Sequence, residues 1–100
     1  MDYGGIIMNL QITDHAVACL KDEWGFHSGE FVRVYIRYVS GGAEALSLGI
    51  QKEKPKQAVI TCEAGGILFF VEESDEWYLQ DRSITIDAEG TEILFAADLL

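Results

Sequence analysis

Between residues 31 and 39 the hydrophobic period is two. Phe31-Val32-Arg33-Val34-Tyr35-Ile36-Arg37-Tyr38 sets Val32, Val34, Ile36 and Tyr38 on one face and Arg33, Tyr35 and Arg37 on the other. That is the alternation of a half-buried antiparallel strand. A chain holding such a strand must also provide neighbours to pair with it and an apolar layer to cover it. Ser40-Gly41-Gly42-Ala43 interrupts the pattern, and Leu46, Leu48 and Ile50 then alternate with Ala45, Ser47 and Gly49 as a second strand. Beyond the charged loop Lys52-Glu53-Lys54-Pro55-Lys56, residues 58–62 read as a third strand and Gly65-Gly66 as a tight turn. Ile67-Leu68-Phe69-Phe70-Val71 is apolar on both faces, which predicts the most deeply buried strand. Residues 83–87 and 91–97 close the pattern as a hairpin about Ala88-Glu89-Gly90.

The covering layer comes earlier in the chain. After a short strand at Gln11-Ile12-Thr13, Ala16, Val17, Leu20 and Trp24 recur at helical spacing, Thr13 or Asp14 is a fitting N-cap, and Gly25 is a stop. The spacing predicts a helix over residues 13–24. Residues 72–80, acidic and then aromatic, predict a helical turn capped by Ser74, with Trp77 and Leu79 turned inward. The expected fold class is α+β: one N-terminal helix on a twisted, mostly antiparallel sheet or sandwich of about six or seven strands, without βαβ alternation. Residues 1–100 read as a single domain, with residues 1–8 a loose N-terminal extension.

Composition narrows the function classes. With 49% of residues hydrophobic, 100 residues suffice for one modest core. The 17 acidic and 7 basic residues give a net charge of -10, which repels phosphate backbones and anionic lipid alike. Neither nucleic acid nor membrane is an expected partner. There is no apolar run near the roughly 20 residues of a membrane span and no signal-peptide layout, so a cytoplasmic location is expected. Cys19 and Cys62 stand far apart with no C-x-x-C spacing, which fits reduced thiols.

The order of segments carries a resemblance. Val34-Tyr35-Ile36-Arg37-Tyr38-Val39-Ser40-Gly41-Gly42 is followed by Leu46-Ser47-Leu48-Gly49, then Gly66-Ile67-Leu68-Phe69-Phe70-Val71-Glu72-Glu73, then Ser83-Ile84-Thr85-Ile86-Asp87 and a last strand. Over roughly residues 10 to 97 this order resembles the HesB-like family, the A-type iron-sulfur carriers. It is most similar to a short, cysteine-poor branch marked by Phe70-Val71-Glu72-Glu73-Ser74-Asp75-Glu76-Trp77-Tyr78. The resemblance implies the HesB-like fold and a role related to iron-sulfur cluster biogenesis. In that family a cysteine in the glycine loop and a Cys-Gly-Cys near the C-terminus hold the cluster or iron. Here Gly42 stands at the loop position and the sequence runs to Asp98-Leu99-Leu100 with no such pair. Clusters take about four thiolate or imidazole ligands. The expectation is therefore a degenerate member with no cofactor or metal ligands of its own, acting as a binding or scaffold module. Its expected partner is a protein, with the iron-sulfur assembly machinery the one the resemblance points to. The alternative is a protein-interaction domain of an unrelated pathway with no metal role.

Each remaining polar group has a plain reading beside a sharper one. Cys19 and Cys62 are small core fillers, or thiols shared between subunits. His15 and His27 read as exposed, with no ligand at helical spacing on the same face. Glu72, Glu73, Asp75 and Glu76 read as a solvated helix start, since they lack the alternating oxygens and central glycine of a calcium loop. No nucleophile turn or triad is recognisable, so no catalytic residue and no enzyme is expected. Arg33, Tyr35 and Arg37 either pair with acidic neighbours across the sheet or form a docking patch for an anionic group, to which Ser40, Gly41 and Gly42 would offer backbone N–H groups.

Overall fold

The computed structural model describes residues 8–38 and 46–99. Seven strands form two sheets, among the described residues. They are β1 (Met8–Ile12), β2 (Phe31–Tyr38), β3 (Leu46–Lys52), β4 (Ala58–Ala64), β5 (Ile67–Glu72), β6 (Arg82–Glu89) and β7 (Glu92–Leu99). One sheet has the order β1-β6-β7 and the other β3-β2-β5-β4. Helix α1 (Asp14–Asp22) links β1 to β2, and a 3-10 turn (Glu73–Asp75) runs into α2 (Glu76–Leu79). The pairs β2–β3, β4–β5 and β6–β7 are antiparallel, whereas β1–β6 and β2–β5 are parallel. The architecture is thus a mixed sandwich. Residues 1–7 lie outside the described residues, and Met8, expected in a loose extension, opens β1 opposite Arg82.

The core lies between the sheets. Leu10, Ile84 and Ile86 of one sheet share it with Val32, Val34, Leu48, Ile67, Phe69 and Val71 of the other. Side chains alternate along each strand, so one face of each sheet supplies this layer. On β5, Ile67, Phe69 and Val71 face the layer and Phe70 is fully buried on the reverse face, as the doubly apolar run predicts. Ile36 is half-buried. The β4–β5 turn places Gly65 at φ 60 and Gly66 at φ 82, both in the left-handed region that a two-residue hairpin turn requires. Contacts between β1 and β4 close the sandwich along one side; β3 and β7 are the outer strands of the other.

Four local expectations change. The helix ends at Asp22, and the chain turns through Gly25 at φ 75 so that the Phe26 N–H reaches the Leu20 carbonyl at 2.9 Å. Phe26 takes the core position, and Trp24, expected on the buried stripe, stays 45% exposed. A second helix, α2, joins the single N-terminal one that was expected. Within its one turn, Trp77 and Leu79 stand about 200° apart around the axis. Only one can face inward, and Leu79 is buried while Trp77 is 57% exposed. Ser74 caps neither turn; its hydroxyl instead accepts a hydrogen bond from Arg33 at 3.3 Å.

Candidate functional site

The outward face of β2 carries Arg33, Tyr35 and Arg37, and the structure gives the two arginines different surroundings. Arg33 donates to Asp75 Oδ2 at 3.0 Å and to Glu53 Oε2 at 3.4 Å. Its Nε is buried without a partner. Burial acts to lower its pKa, but the hydrogen bond and charge of Asp75, with Glu53 behind them, outweigh that and raise it. Beside this cluster the buried Glu72 carboxylate accepts from the Lys56 and Gln57 backbone N–H groups, which hold it below the usual glutamate value. Arg33 is therefore engaged by carboxylates that tie the 3-10 turn and the end of β3 to the sheet.

Arg37 is exposed. Among the described residues no carboxylate forms an ion pair with it. Its neighbour Tyr35 stands opposite Gly49 in the β2–β3 register. A Cβ on Gly49 would lie 2.9 Å from the Tyr35 ring, 3.0 Å from its hydroxyl and 3.1 Å from Arg37 Cδ. The missing side chain lets the ring and the arginine stem lie flat across β3, as close approach to a strand glycine does. Tyr35 and Arg37 thus reach over β3 to its open edge.

There they meet the second sheet. Tyr35, Arg37, Leu48, Gly49 and Ile50 line a groove of about 280 Å³ with Trp24 and with Ile93 and Phe95 of β7. Trp24 is fixed by its indole N–H, which donates to the Thr91 carbonyl at 3.0 Å, and by an edge-on contact with Phe26. The groove is the open seam of the sandwich. Among the described residues its lining is aromatic and aliphatic, with the one cation Arg37 as its charged member.

Of the residues singled out from the sequence, Tyr35 and Arg37 come together here and Arg33 lies farther along the same face in its ion-pair cluster. Ser40, Gly41 and Gly42 lie outside the described residues. Trp24, Gly49, Ile93 and Phe95 were missed. Gly49 had a legible signal, a glycine between Leu48 and Ile50 inside an alternating strand, which marks a close approach. The seam itself had none, because β3 and β7 are remote in sequence.

A second hollow, of about 360 Å³, lies between α1 and the β6–β7 turn and is lined in part by His15, Cys19, Asp22 and Glu23. Cys19 is buried there, and Cys62 packs against the core from β4. Among the described residues no three His, Cys, Asp or Glu side chains come together to hold a metal ion. The side chains described do not fit an iron-sulfur cluster.

No protein-family model matches the sequence. The pyruvate dehydrogenase inhibitor of Bacillus subtilis (strain 168) is 40% identical over 81 residues, 79% of this chain and 85% of that protein. This chain belongs to that inhibitor's family. Among solved structures, the crystal structure of Escherichia coli SufA, involved in biosynthesis of iron-sulfur clusters, matches with a TM-score of 0.57. It covers 91% of this chain and 85% of SufA at 15% identity, a likeness of fold. The HesB-like fold expected from the order of strands is borne out, here as a mixed two-sheet sandwich. No helix among the described residues is long and apolar enough to cross a membrane.

Proposed function

We propose that this chain acts by protein contact, without a metal of its own, and that it binds and restrains a pyruvate dehydrogenase. The observation that carries this reading is the 40% identity, over most of both chains, to a protein named as an inhibitor of that enzyme. The groove supports it: among the described residues it is an aromatic and aliphatic seam with one exposed cation, a surface for recognition, and these residues include no acid–base pair or ligand set. Steric or conformational restraint of a partner needs none of these. On a chain of net charge -10, a cation in an apolar groove orients the partner as well as binding it.

A second reading follows from the fold. The likeness to SufA supports a scaffold role in iron-sulfur biogenesis, in which the chain keeps the surface of a carrier and not its ligands. One experiment separates the two. Purified chain is titrated into a pyruvate dehydrogenase assay, before and after anaerobic cluster reconstitution with iron counting. Saturable inhibition by the iron-free chain supports the contact reading. Inhibition absent at micromolar chain overturns it: no iron after reconstitution then leaves the scaffold reading, and stoichiometric iron overturns both in favour of a carrier.

A further inference from the structure

An open sandwich exposes strand edges, and each must be guarded or used. Four strands are outermost in the two sheets: β1, β7, β3 and β4. β1 and β4 lie against each other. β4 also carries a register shift between Ala58 and Ile60 and an exposed Glu63, both of which discourage pairing. β7 carries exposed Glu92 and Asp98 at its two ends. From Leu46 to Gln51, β3 has no charge, no proline and no register shift against β2. β3 and the similarly charge-flanked β7 are the less guarded edges among the described residues, and β3 forms one wall of the groove.

The two sides of that edge differ in chemistry. A strand added beside β3 would send alternate side chains to opposite faces. On the outer face they would lie beside the Tyr35 hydroxyl and Arg37, which the bare Gly49 backbone lets reach the edge. On the inner face they would enter the seam between Leu48 and Ile50 on one side and Trp24, Ile93 and Phe95 on the other. Resting on the reading of this groove as a contact surface, we infer that it takes an extended partner segment as an added strand on β3. Carboxylate side chains of that segment alternate with apolar ones: the carboxylates lie over Tyr35 and Arg37, and the apolar groups fill the seam. Main-chain hydrogen bonds supply affinity, and the alternation supplies specificity. A second copy of this chain is the competing occupant, which the test separates.

The test uses blocked synthetic peptides that alternate glutamate with valine, or lysine with valine, and amide-detected NMR of the intact chain. The glutamate peptide shifts the amides of Leu46–Lys52 and the Trp24 indole N–H in a saturable, salt-weakened way. Arg37→Glu weakens binding about tenfold or more, and Arg37→Gln weakens it less. N-methylation of the amides that face β3 abolishes it. Equal binding of the lysine peptide, or unchanged binding after N-methylation, overturns the inference. So does sedimentation showing a dimer that Arg37→Glu dissolves while no peptide binds. Inhibition of the dehydrogenase that is lost in Arg37→Glu without any peptide binding sinks the strand chemistry and leaves the contact reading standing. Peptide binding without inhibition supports the strand chemistry and sinks the dehydrogenase reading.

Discussion

Gly49 shows how a missing side chain builds a surface. Its backbone is not in the left-handed region, so alanine is conformationally acceptable there, and the obstacle is the Tyr35 ring and the Arg37 stem that occupy the space. Both obstacles are the far parts of side chains at an edge and can swing away. Gly49→Ala is therefore expected to change stability by less than about 1 kcal/mol while lifting Tyr35 and Arg37 off β3 and weakening partner binding. Thermal melting read beside inhibition of the dehydrogenase checks both halves; a large loss of melting temperature would mean that the glycine serves the fold. The two arginines make a matched contrast. Arg33→Ala strands the buried Asp75 carboxylate and should cost about 2 to 3 kcal/mol in urea denaturation. Arg37→Ala, at an exposed position, should stay within about 0.5 kcal/mol. This division was only half legible in sequence. The alternation put both arginines on one face, but the partners of Arg33 stand 20 and 42 residues away and carry no local signal.

Among the elements, the β4–β5 hairpin is held by the loop that follows α1. The Gly29 N–H donates to the Gly66 carbonyl at 2.8 Å, and the Ser28 hydroxyl donates to the Gly65 carbonyl at 3.1 Å. A Cβ on Gly65 would collide with Val17 of α1, and φ 60 disfavours any L side chain. Gly65→Ala should thus cost at least about 1 to 2 kcal/mol in chemical denaturation and expose Val17. An unchanged midpoint would show that the turn is not fixed against the helix. Strands and turn were readable because their signals are local: a period of two, and paired glycines. The end of α1 was not. The apolar stripe runs on to Trp24, but the helix stops at Asp22 because the turn at Gly25 brings Phe26 into the core instead. At Trp77 the aromatic and apolar pattern points inward, but one helical turn cannot bury Trp77 together with Leu79.

At the scale of the whole molecule, hydrogen-bonded carboxylates set how stability responds to acid. Glu72 is held below its usual pKa by the Lys56 and then the Gln57 backbone N–H groups, and Asp87 by the Thr13 hydroxyl and then the Ala88 backbone. The folded chain therefore binds fewer protons at these sites than the unfolded chain does. Their stabilisation is full above the unfolded carboxylate value, begins to fade below about pH 5, and is gone once the pH has fallen through the depressed native values. Protonation of other acids relieves self-repulsion at the same time, so the contribution of Glu72 is read by difference. Glu72→Gln should flatten the decline in melting temperature below pH 5, and a steeper decline in the variant would reverse the assignment. The sandwich could be foreseen from element order. Its open seam could not, because an edge is defined only once the sheet order is fixed, and no residue of β3 announces that β7 lies across from it. Hydrogen–deuterium exchange on the chain with and without pyruvate dehydrogenase tests docking on β3 most directly. Docking there brings new protection across Leu46–Lys52 and at the neighbouring Tyr35 to Arg37, lost in Arg37→Glu. Protection confined to the β4 edge, or none at concentrations that inhibit the enzyme, would contradict it.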